Sequence, residues 1–402
     1  MLDDLKIKIL KFLDHWAGTP ICLFLALLNK FMRPFDKFHS SPIKKTPGTI
    51  LMIKFFGLGS ILLSSPLLKS IKEHFPESRI IFLTFKHNAG LVKRLGICDE
   101  VRTIDVSNVF TLLNSILSNL AFLRFVRPEI SIDLEFYSKF STMVSYLSGA
   151  RWRVGFYLPQ FWRTALVNVP VYFNYSRHIL EIYAMVGKAI GLEVKDLAPS
   201  SIPTSEEEVD FVEELLQRQN INRQNFLLGV NINASDLAFC RRWPREKFAQ
   251  VINALVKEKS NLLVLLFGSQ SEKKYTSSLL ELLGEKTKEK VFDLSGRLTL
   301  GQFIVLLQKI DLFLTNDSGP LHLAKAQGTP TVSIWGPGSP ELYGPYGREK
   351  DKHKVLYKRY PCSPCMYIYR TEAGYFCNMS IPCLNDIDSE EVIQAVKTAI
   401  NQ

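Results

Sequence analysis

The sequence predicts two tandem α/β domains, each built on a doubly wound parallel β-sheet. Two observations lead to this fold class. Short apolar runs alternate with longer helical stretches from Thr49 onward, which is the pattern of βαβ units. The alternation stops in a segment rich in proline, serine and glutamate (197–208) and then starts again. A chain of 402 residues is also long enough for two domains of ordinary size.

The first domain is predicted at 47–200. Four apolar runs that are short for helices predict its buried strands: ILMIKFF (50–56), RIIFLTF (79–85), VRTIDV (101–106) and EISIDLEF (129–136). Helical stretches follow the first three runs and end near 74, 96 and 126. Parallel strands joined by right-handed helical crossovers account for this order of elements.

A linker at 201–208 precedes the second domain, which is predicted at 209–385. Five apolar runs predict its strands: FLLGVNI (226–232), NLLVLLFG (261–268), VFDLSG (291–296), DLFLTN (311–316) and TVSIWG (331–336). Helices are predicted between them at 245–258, 271–285, 299–309 and 320–327. In the C-terminal segment (386–402), Asp388 and Glu391 have the spacing of a capping box and predict a last helix, which we expect to pack back on the first domain.

The N-terminal extension (1–46) is basic and contains an apolar segment, WAGTPICLFLALL (16–28). This uncharged run is shorter than the ~20 residues that a membrane-spanning helix needs. Basic residues flank it on both sides: Lys6, Lys8, Lys11, Lys30, Arg33, Lys37, Lys44 and Lys45. The segment is predicted to be either an extra helix packed on the first domain or an interfacial helix resting on an anionic membrane, with a transmembrane span as the third alternative.

Composition narrows the class of protein. The chain is 47% hydrophobic and 22% charged, as is typical of a globular protein, and its formal net charge of +10 favours an anionic partner. The sequence contains neither an aromatic-plus-basic RNA motif nor a recognisable zinc finger, so we predict no nucleic-acid partner. Seven cysteines, an odd number with four near the C-terminus, argue against a secreted fold held by disulfides.

The most informative motif is Asn316-Asp317-Ser318-Gly319-Pro320-Leu321-His322, between a predicted strand and a short helix. A helix N-terminus presents unpaired backbone N–H groups and partial positive charge, which suit a phosphate or pyrophosphate. Ser318 and Gly319 would let the backbone approach such a ligand, and His322 could donate to a phosphate oxygen. Asp317 would cap the helix or accept from a sugar hydroxyl. The alternative is a purely structural cap beside a packed histidine.

Three further segments lie at predicted strand ends. The loop Gly57-Leu58-Gly59-Ser60 lacks the third glycine of a dinucleotide fingerprint, so it gives little support to NAD and also fits a plain tight turn. Arg241, in Arg241-Arg242-Trp243-Pro244, could neutralise a diphosphate, or could simply lie at a solvated helix entrance. The Glu272 carboxylate could bind a ribose diol, although one surface glutamate among many needs no such role.

A cysteine cluster near the C-terminus offers a weak alternative of a metal site. Cys362 and Cys365 are two residues apart, whereas Cys377 and Cys383 have a wider gap than is usual for zinc. Reduced structural thiols remain the first interpretation, and no metal or cofactor is predicted.

Taken together and in order, these stretches resemble glycosyltransferase family 9, the ADP-heptose:lipopolysaccharide heptosyltransferases. The matching stretches are ILMIKFFGLGSILLSSPLLKSIKEHFP, RRWPREKF, LFGSQSE, LTNDSGPLHLAKAQGTPTVSIWGP and YPCSPC. The resemblance runs from Thr49 to nearly the end of the chain. It implies a GT-B fold, with two Rossmann-like domains facing each other across a cleft, and metal-independent inverting transfer from a nucleotide sugar.

Carried over by position, the resemblance assigns donor contacts in the second domain. Asp317, Ser318, Gly319 and His322 would contact the donor sugar and diphosphate. Arg241 falls where the family has a basic residue toward the phosphates. Glu272 falls where the ribose is held, and Leu298 falls where a side chain lines the adenine.

One position departs from the family. Members usually carry an aspartate directly after the loop glycine as the presumed base, and here that residue is Ser60, whose hydroxyl has no useful basicity near neutral pH. Glu135 lies at the carboxyl end of a predicted strand on the same edge of the sheet. We therefore expect either that Glu135 replaces the missing base or that the acceptor geometry differs; the alternative is that the chain has lost transfer and only binds a sugar nucleotide.

The acceptor is expected to contact the first domain. Positive side chains lie near predicted strand ends or connections there and suit an anionic saccharide, although each could be an ordinary surface base: Lys54, Lys86, His87 and Arg153. The sequence thus predicts a cytoplasmic enzyme, peripheral on the inner face of the cytoplasmic membrane. It would move a heptose-like sugar from ADP-heptose to a lipopolysaccharide-core or other envelope glycan. An NAD-dependent enzyme is a weaker third alternative.

Overall fold

The computed structural model describes residues 14, 16–32, 46–157, 162–222, 224–234, 236–347, 350–366, 377 and 380–401. The chain divides into two compact units, Met1–Ser200 and Ser201–Gln402. Most of the basic residues that flank the apolar N-terminal segment lie outside the described residues: Lys6, Lys8, Lys11, Arg33, Lys37, Lys44 and Lys45.

The first unit contains six strands and seven α-helices in its described part. The strands are β1 (Thr49–Ile53), β2 (Arg79–Phe85), β3 (Glu100–Ile104), β4 (Ile130–Asp133), β5 (Trp152–Tyr157) and β6 (Val169–Tyr172). The helices are α1 (Gly18–Met32), α2 (Leu58–Leu63), α3 (Ser65–His74), α4 (Ala89–Leu95), α5 (Val109–Val126), α6 (Lys139–Leu147) and α7 (Ile179–Ala189). Short 3₁₀ turns lie at Lys86–Asn88 and Trp162–Leu166.

The first sheet is entirely parallel, in the order β3-β2-β1-β4-β5-β6. Strand β1 is central, and four of its five residues are buried, as an uninterrupted apolar run predicts. Its last residue, Ile53, is in register with Leu83 of β2 and Asp133 of β4. The loops after β1 and β4 therefore leave the sheet side by side.

Helices α5 and α6 cover one face of this sheet. Leu123 of α5 and Val144 of α6 share a core with Leu51 and Ile53 of β1. The N-terminal helix α1 then packs beside α6, where Cys22 contributes to a small apolar cluster with Met143. This arrangement is the packed extra helix, the first interpretation of the apolar N-terminal segment.

The second unit repeats the architecture. Its strands are β7 (Phe226–Asn231), β8 (Leu262–Leu266), β9 (Val291–Asp293), β10 (Leu312–Asn316), β11 (Thr331–Trp335) and β12 (His353–Tyr357). Its helices are α8 (Glu206–Arg218), α9 (Arg245–Glu258), α10 (Lys273–Ser277), α11 (Glu285–Lys288), α12 (Leu300–Lys309), α13 (Gly319–Ala326), α14 (Pro340–Tyr343), α15 (Pro382–Asn385) and α16 (Ser389–Ile400). The 3₁₀ turns are Asp236–Arg241, Leu280–Leu282 and Lys350–Lys352.

The second sheet is also parallel, in the order β12-β11-β10-β7-β8-β9. Numbered within its own unit, this is the same permutation as the first sheet. Both are therefore doubly wound, as the sequence predicts.

Several elements differ from the prediction. Strands β5, β6 and β12 were not predicted. An arginine and a glycine interrupt the apolar run of β5, a proline interrupts that of β6, and a histidine and a lysine begin β12. The glutamates placed in the linker, Glu206 to Glu208, instead form the first turn of α8, where Ser205 and Glu208 make a capping box. The final helix α16 packs in the core of the second unit beside α9, rather than on the first domain as expected.

Candidate active site

The predicted site residues concentrate at the switch point of each sheet. In a doubly wound sheet, the chain leaves the first and fourth strands toward opposite sides, and the loops at their carboxyl ends form a natural ligand site. In the first unit these strands are β1 and β4, which are followed by Gly57 and Glu135. In the second unit they are β7 and β10, which are followed by Arg241 and Asp317.

The N-terminus of α13 has no side-chain cap. Ser318 occupies the cap position in an extended conformation, but its hydroxyl lies 3.2 Å from Thr315 Oγ1 and accepts from Asn231 Nδ2 at 3.3 Å. The side chain is thereby turned back toward β7 and β10. The Gly319 N–H and the positive end of the helix dipole are left available for an external anion, whereas Pro320 has no N–H and the Leu321 N–H donates to Ser318 O at 3.2 Å.

The buried Asp317 and the partly buried Arg241 form an ion pair beside this helix end. Arg241 Nη1 donates to Asp317 Oδ2 at 3.3 Å. Burial raises the pKa of the Asp317 carboxyl, and the Arg241 guanidinium opposes that rise. Arg241 Nε is buried and has no partner among the described residues, so the guanidinium can donate further. Asp317 is therefore not the helix cap that the sequence allowed.

Two residues to which the sequence analysis assigned no role, Asn316 and Gly338, fix this arrangement. Asn316 accepts from the backbone N–H of Trp243 at 3.1 Å and donates to Ile232 O at 2.9 Å, so it ties the loop before α9 to the end of β10. Gly338 makes room for the ion pair, because a Cβ there would lie 2.3 Å from Asp317 Oδ2. Asn316 is a polar residue at the end of a buried apolar run, and this position is the sequence signal that could have indicated its role.

The other predicted donor residues also follow strands of the second sheet. Glu272 closes its own turn, since Ser269 donates to Glu272 Oε2 from its backbone N–H at 2.8 Å and from its hydroxyl at 2.7 Å. Leu298 is half-buried between the end of β9 and α12. His322 is buried one turn into α13.

In the first unit, Glu135 is buried just beyond β4. Its Oε1 accepts from Lys54 Nζ at 2.9 Å and from the backbone N–H groups of Phe55 and Phe56 at 2.7 and 2.9 Å. The hydrogen bonds that the structure gives to this carboxylate all end on Oε1. The negative charge is thus compensated at one oxygen, and Oε2 remains the oxygen for another hydrogen bond.

Asp133 and Arg163 hold the backbone of Glu135 from two sides. Asp133 Oδ1 accepts from the Glu135 N–H at 3.0 Å, and Arg163 Nη2 donates to the Glu135 carbonyl at 2.7 Å. Ser141 and Thr142 donate to Asp133 Oδ2, which also faces Arg163 Nη2 at 3.3 Å. Burial raises the pKa of Asp133, against the effect of the arginine. Neither positioning residue was found from sequence.

Two of the predicted acceptor contacts are structural instead. Lys54 is buried and directs its ammonium to Glu135. Arg153 is buried near the start of β5, and donates from Nε to Leu166 O at 2.7 Å and from Nη1 to Ala150 O at 3.1 Å. Because both charges are used inside the unit, neither is placed to bind an acceptor, which corrects the expectation.

The remaining predicted residues of the first unit lie at its carboxyl edge. Lys86 and His87 are exposed directly after β2, and Lys86 Nζ donates to Asp105 Oδ2 at 2.8 Å. Ser60 is half-buried in α2 above Gly57, whose φ is +82°, and a Cβ at Gly57 would lie 3.0 Å from Ser60 Oγ. The glycine is therefore required by its backbone conformation.

Comparison with known proteins identifies the family. The model of glycosyltransferase family 9 (heptosyltransferase) matches residues 139–375, more than half of the chain. The chain belongs to glycosyltransferase family 9. This family 9 enzyme is 26% identical over 345 residues to lipooligosaccharide heptosyltransferase 2 of Campylobacter jejuni, an alignment that covers 85% of this chain and 95% of the relative.

Solved structures agree in fold with this family 9 glycosyltransferase. A family 9 glycosyl transferase from Veillonella parvula superposes with a TM-score of 0.69 at 22% identity, covering 88% of this chain and 97% of the other. ADP-heptose lipopolysaccharide heptosyltransferase II of Escherichia coli gives 0.67 at 20% identity, covering 88% and 99%. The two-domain α/β fold is thus of the GT-B type.

The four C-terminal cysteines of this family 9 glycosyltransferase line one small cavity with Pro337, Ile381 and Pro382. Their thiols are free, and the backbone N–H of Ile381 donates to Cys377 Sγ at 3.3 Å. Within the described part of the chain, no group of three or more His, Cys, Asp or Glu side chains is arranged to hold a metal ion. The cavity belongs to the packing around α15.

Proposed function

We propose that this glycosyltransferase transfers a heptose from ADP-heptose to a lipopolysaccharide-core or related envelope glycan, with inversion at the anomeric carbon. The relatives named above carry heptosyltransferase names, and the Escherichia coli structure is named for ADP-heptose. The observation that carries the proposal is the uncapped N-terminus of α13 beside the Arg241–Asp317 pair.

The donor diphosphate binds at the α13 N-terminus. The Gly319 N–H and the helix dipole attract negative charge, and Arg241 Nε supplies a further donor. Ser318 and His322 complete the phosphate and sugar contacts, and the Asp317 carboxylate accepts from a sugar hydroxyl. Glu272 binds the ribose, and Leu298 lies against the adenine.

These groups also promote departure of the nucleotide. When the anomeric C–O bond breaks, both bonding electrons go to the diphosphate oxygen, and the new charge falls on preorganised donors. Fixed peptide dipoles and a guanidinium then do the work that a divalent cation does elsewhere. We therefore propose that turnover is independent of added metal.

Glu135 acts as the base on the acceptor side. The acceptor hydroxyl gives its proton to Glu135 Oε2 as its oxygen attacks the anomeric carbon opposite the departing diphosphate, so one C–O bond forms while another breaks. Lys54 and the two backbone donors hold Oε1 and fix the orientation of the carboxylate. Lys86 and His87, exposed at the same edge of the sheet, meet an anionic acceptor.

A second function follows from Ser60. The usual aspartate of the family is absent there, so a chain that binds the sugar nucleotide without transferring it is the competing proposal. Glu135 distinguishes the transferase from the binding protein. Its carboxylate is held in one orientation at the end of the neighbouring strand, so it can supply the base that Ser60 cannot. This favours the transferase.

The test is a turnover assay with ADP-heptose and a lipopolysaccharide acceptor that lacks heptose. ADP release that depends on the acceptor, and that persists in EDTA, is expected. Binding of ADP-heptose by calorimetry without acceptor-dependent ADP release would establish the binding protein instead. Loss of turnover in EDTA, restored by a divalent cation, would contradict the metal-independent mechanism alone.

A further inference from the structure

Two helices of the first unit, α1 and α5, each present exposed apolar side chains, and we call the two sets together the apolar face. Phe31 is 81% exposed and Phe125 is 86% exposed, whereas exposed large apolar side chains in the described part of the second unit reach only 41%. The members of the apolar face are Trp16 just before α1, Ile21, Leu23, Phe24, Leu27, Leu28 and Phe31 of α1, and Val109, Phe110, Leu113, Leu117 and Phe125 of α5.

Both helices belong to one layer over the first sheet. Leu25 of α1 packs in a cluster with Met143 and Tyr146 of α6, and Leu123 of α5 packs in the sheet core together with Val144 of α6. Helix α6 thus lies between the two. The exposed side chains of α1 and α5 therefore lie on either side of α6 in the same helix layer, and so many exposed apolar side chains mark an interaction surface.

Neither helix crosses a bilayer in this arrangement. Helix α5 is long and apolar enough to do so by length and composition. It nevertheless connects β3 to β4 of one sheet and buries Asn119 and Leu123. Helix α1 has 15 residues, fewer than the ~20 that span a membrane. The geometry is that of helices lying along a surface.

The distribution of charged residues indicates which kind of surface the apolar face would contact. Neither α1 nor α5 contains an acidic residue, and their charged residues, Lys30 and Arg124, lie in the last turns, with Arg127 next to α5. Residues 1–200 carry 25 Lys and Arg against 15 Asp and Glu, whereas residues 201–402 carry 24 of each. All the excess positive charge therefore resides in the unit with the apolar face, which complements an anionic lipid headgroup layer.

We propose that the apolar face docks this enzyme on an anionic membrane, with the aromatic and aliphatic side chains at the boundary of headgroups and acyl chains. Amphipathic helices bind lipid in this way when an apolar stripe is combined with basic residues. Binding depends on both contributions, so it should weaken when either the apolar side chains or the anionic lipid is removed.

The apolar face also reaches the edge of the sheet where Glu135 lies. Asp14, just before α1, accepts from the backbone N–H groups of Lys139 and Phe140 at 3.1 and 2.7 Å, and these residues begin the helix after Glu135. Helix α5 likewise begins at the carboxyl end of β3. A lipid-linked acceptor in the docked membrane would therefore approach this edge; this step rests on the proposed function, whereas the lipid binding does not.

Flotation of the full chain with phosphatidylcholine vesicles, with and without phosphatidylglycerol, tests the docking. The wild-type chain should float with the anionic vesicles and at least about tenfold less with neutral ones. Two double variants place charge on the apolar face: F24E with L27E on α1, and F110E with L117E on α5. The matched control in the second unit is F211E with L282E. Each of the first two should reduce flotation at least about tenfold, and the control should not.

Other outcomes overturn the proposal. Equal flotation of the wild-type chain and both apolar-face variants would remove the face as the membrane contact. If light scattering shows a wild-type dimer that these variants dissociate, and vesicles capture neither form, the face binds a second copy instead. ADP release from a soluble, delipidated acceptor should be unchanged in the variants, so a failed transferase assay and a failed docking assay remain distinguishable.

Discussion

Glu135 is the proposed base of the first unit, and hydrogen bonds hold both its carboxylate and its backbone. Its Oε1 takes three hydrogen bonds from Lys54, Phe55 and Phe56, and its backbone is held by Asp133 and Arg163. The proposed role of Glu135 as the base predicts a large loss of turnover when its carboxylate is replaced by an amide.

Replacing Glu135 with Gln should lower kcat at least about 100-fold, because the amide can still accept from the backbone donors but cannot take a proton. The affinity for ADP should stay within about twofold, since ADP is bound by the second unit in this account. Ser60→Ala is the matched control at the same sheet edge and should turn over like the wild type. Full activity of the Gln variant would remove Glu135 as the base.

The sequence could reveal Glu135 but not its surroundings. A glutamate that ends an apolar run is visible by its position, and the absent aspartate at Ser60 directs attention to it. Lys54 and Arg153 were predicted to face an acceptor because sequence shows charge and not direction. In the structure both point inward, and Arg163, from a loop with no regular pattern, supplies the contact to Glu135.

At the scale of elements, the docking of α1 depends on a close approach at Gly18. A Cβ at this position would lie 3.1 Å from Lys139 Cβ, closer than an ordinary van der Waals contact, so a large residue here would press α1 away from α6. The approach buries Cys22, and burial raises the pKa of its thiol to about 11. Because the thiolate is the reactive form, Cys22 reports whether α1 stays in place.

Cys22 should react with iodoacetamide at pH 8 at least about tenfold more slowly than the exposed Cys362, as peptide mass spectrometry can measure. Gly18→Leu should lift α1 and raise the Cys22 rate toward that of Cys362. Gly90→Leu is the control, because nothing lies within 4 Å of a Cβ there. Rapid labelling of Cys22 in the wild-type chain would contradict the packing of α1.

Helix α13 carries a half-buried cation, Lys325, in its last turn. Lys325 Nζ donates to Gly344 O at 2.7 Å, and burial lowers its pKa from 10.5 to about 8. Between these values the unfolded chain binds more protons than the folded chain, so the contribution of Lys325 to the free energy of unfolding rises with pH. Below pH 8 the folded state carries the full cost of the buried charge.

The free energy of unfolding of the wild-type chain, relative to Lys325→Met, should therefore increase by about 2 kcal/mol between pH 7 and pH 10. Urea unfolding at a series of pH values measures this difference, and the comparison cancels the titration of other groups. A constant or falling difference would show that Lys325 keeps an ordinary lysine pKa in the folded chain.

Elements with strong periodic patterns could be predicted, and interrupted ones could not. The runs at β1, β2, β7 and β10 are continuous because both faces of these central strands are buried. The edge strand β12 has lysine in its apolar run, since an edge is partly solvated. The sequence predicts a linker at the start of α8 because the acidic first turn of this helix resembles a solvated segment.

At the scale of the whole molecule, two units with the same strand order carry different functional groups. The carboxyl edge of the first sheet carries the fixed carboxylate, and that of the second carries the open helix end and the ion pair. The excess positive charge and the apolar face both belong to the first unit. This division predicts that nucleotide and lipid act on different halves of the chain.

Hydrogen exchange of the full chain with saturating ADP should therefore show a local response. Amides of 312–326, and of 226–234 next to them, should exchange more slowly, because bound phosphate engages the Gly319 N–H at the start of α13 and stabilises its surroundings. Peptides covering 130–147 should be unaffected by ADP. Protection confined to the first unit would place the nucleotide at the wrong switch point.

The affinity for ADP, measured by calorimetry, tests the donor site most directly. The double variant Arg241→Met with Asp317→Asn removes the guanidinium without leaving a buried carboxylate unpaired, and Arg218→Met on the exposed side of α8 is its control. We expect the double variant to bind ADP about 10- to 100-fold more weakly, as the loss of charge-assisted hydrogen bonds implies, and the control to bind like the wild type. Unchanged affinity in the double variant would contradict the site at the α13 N-terminus.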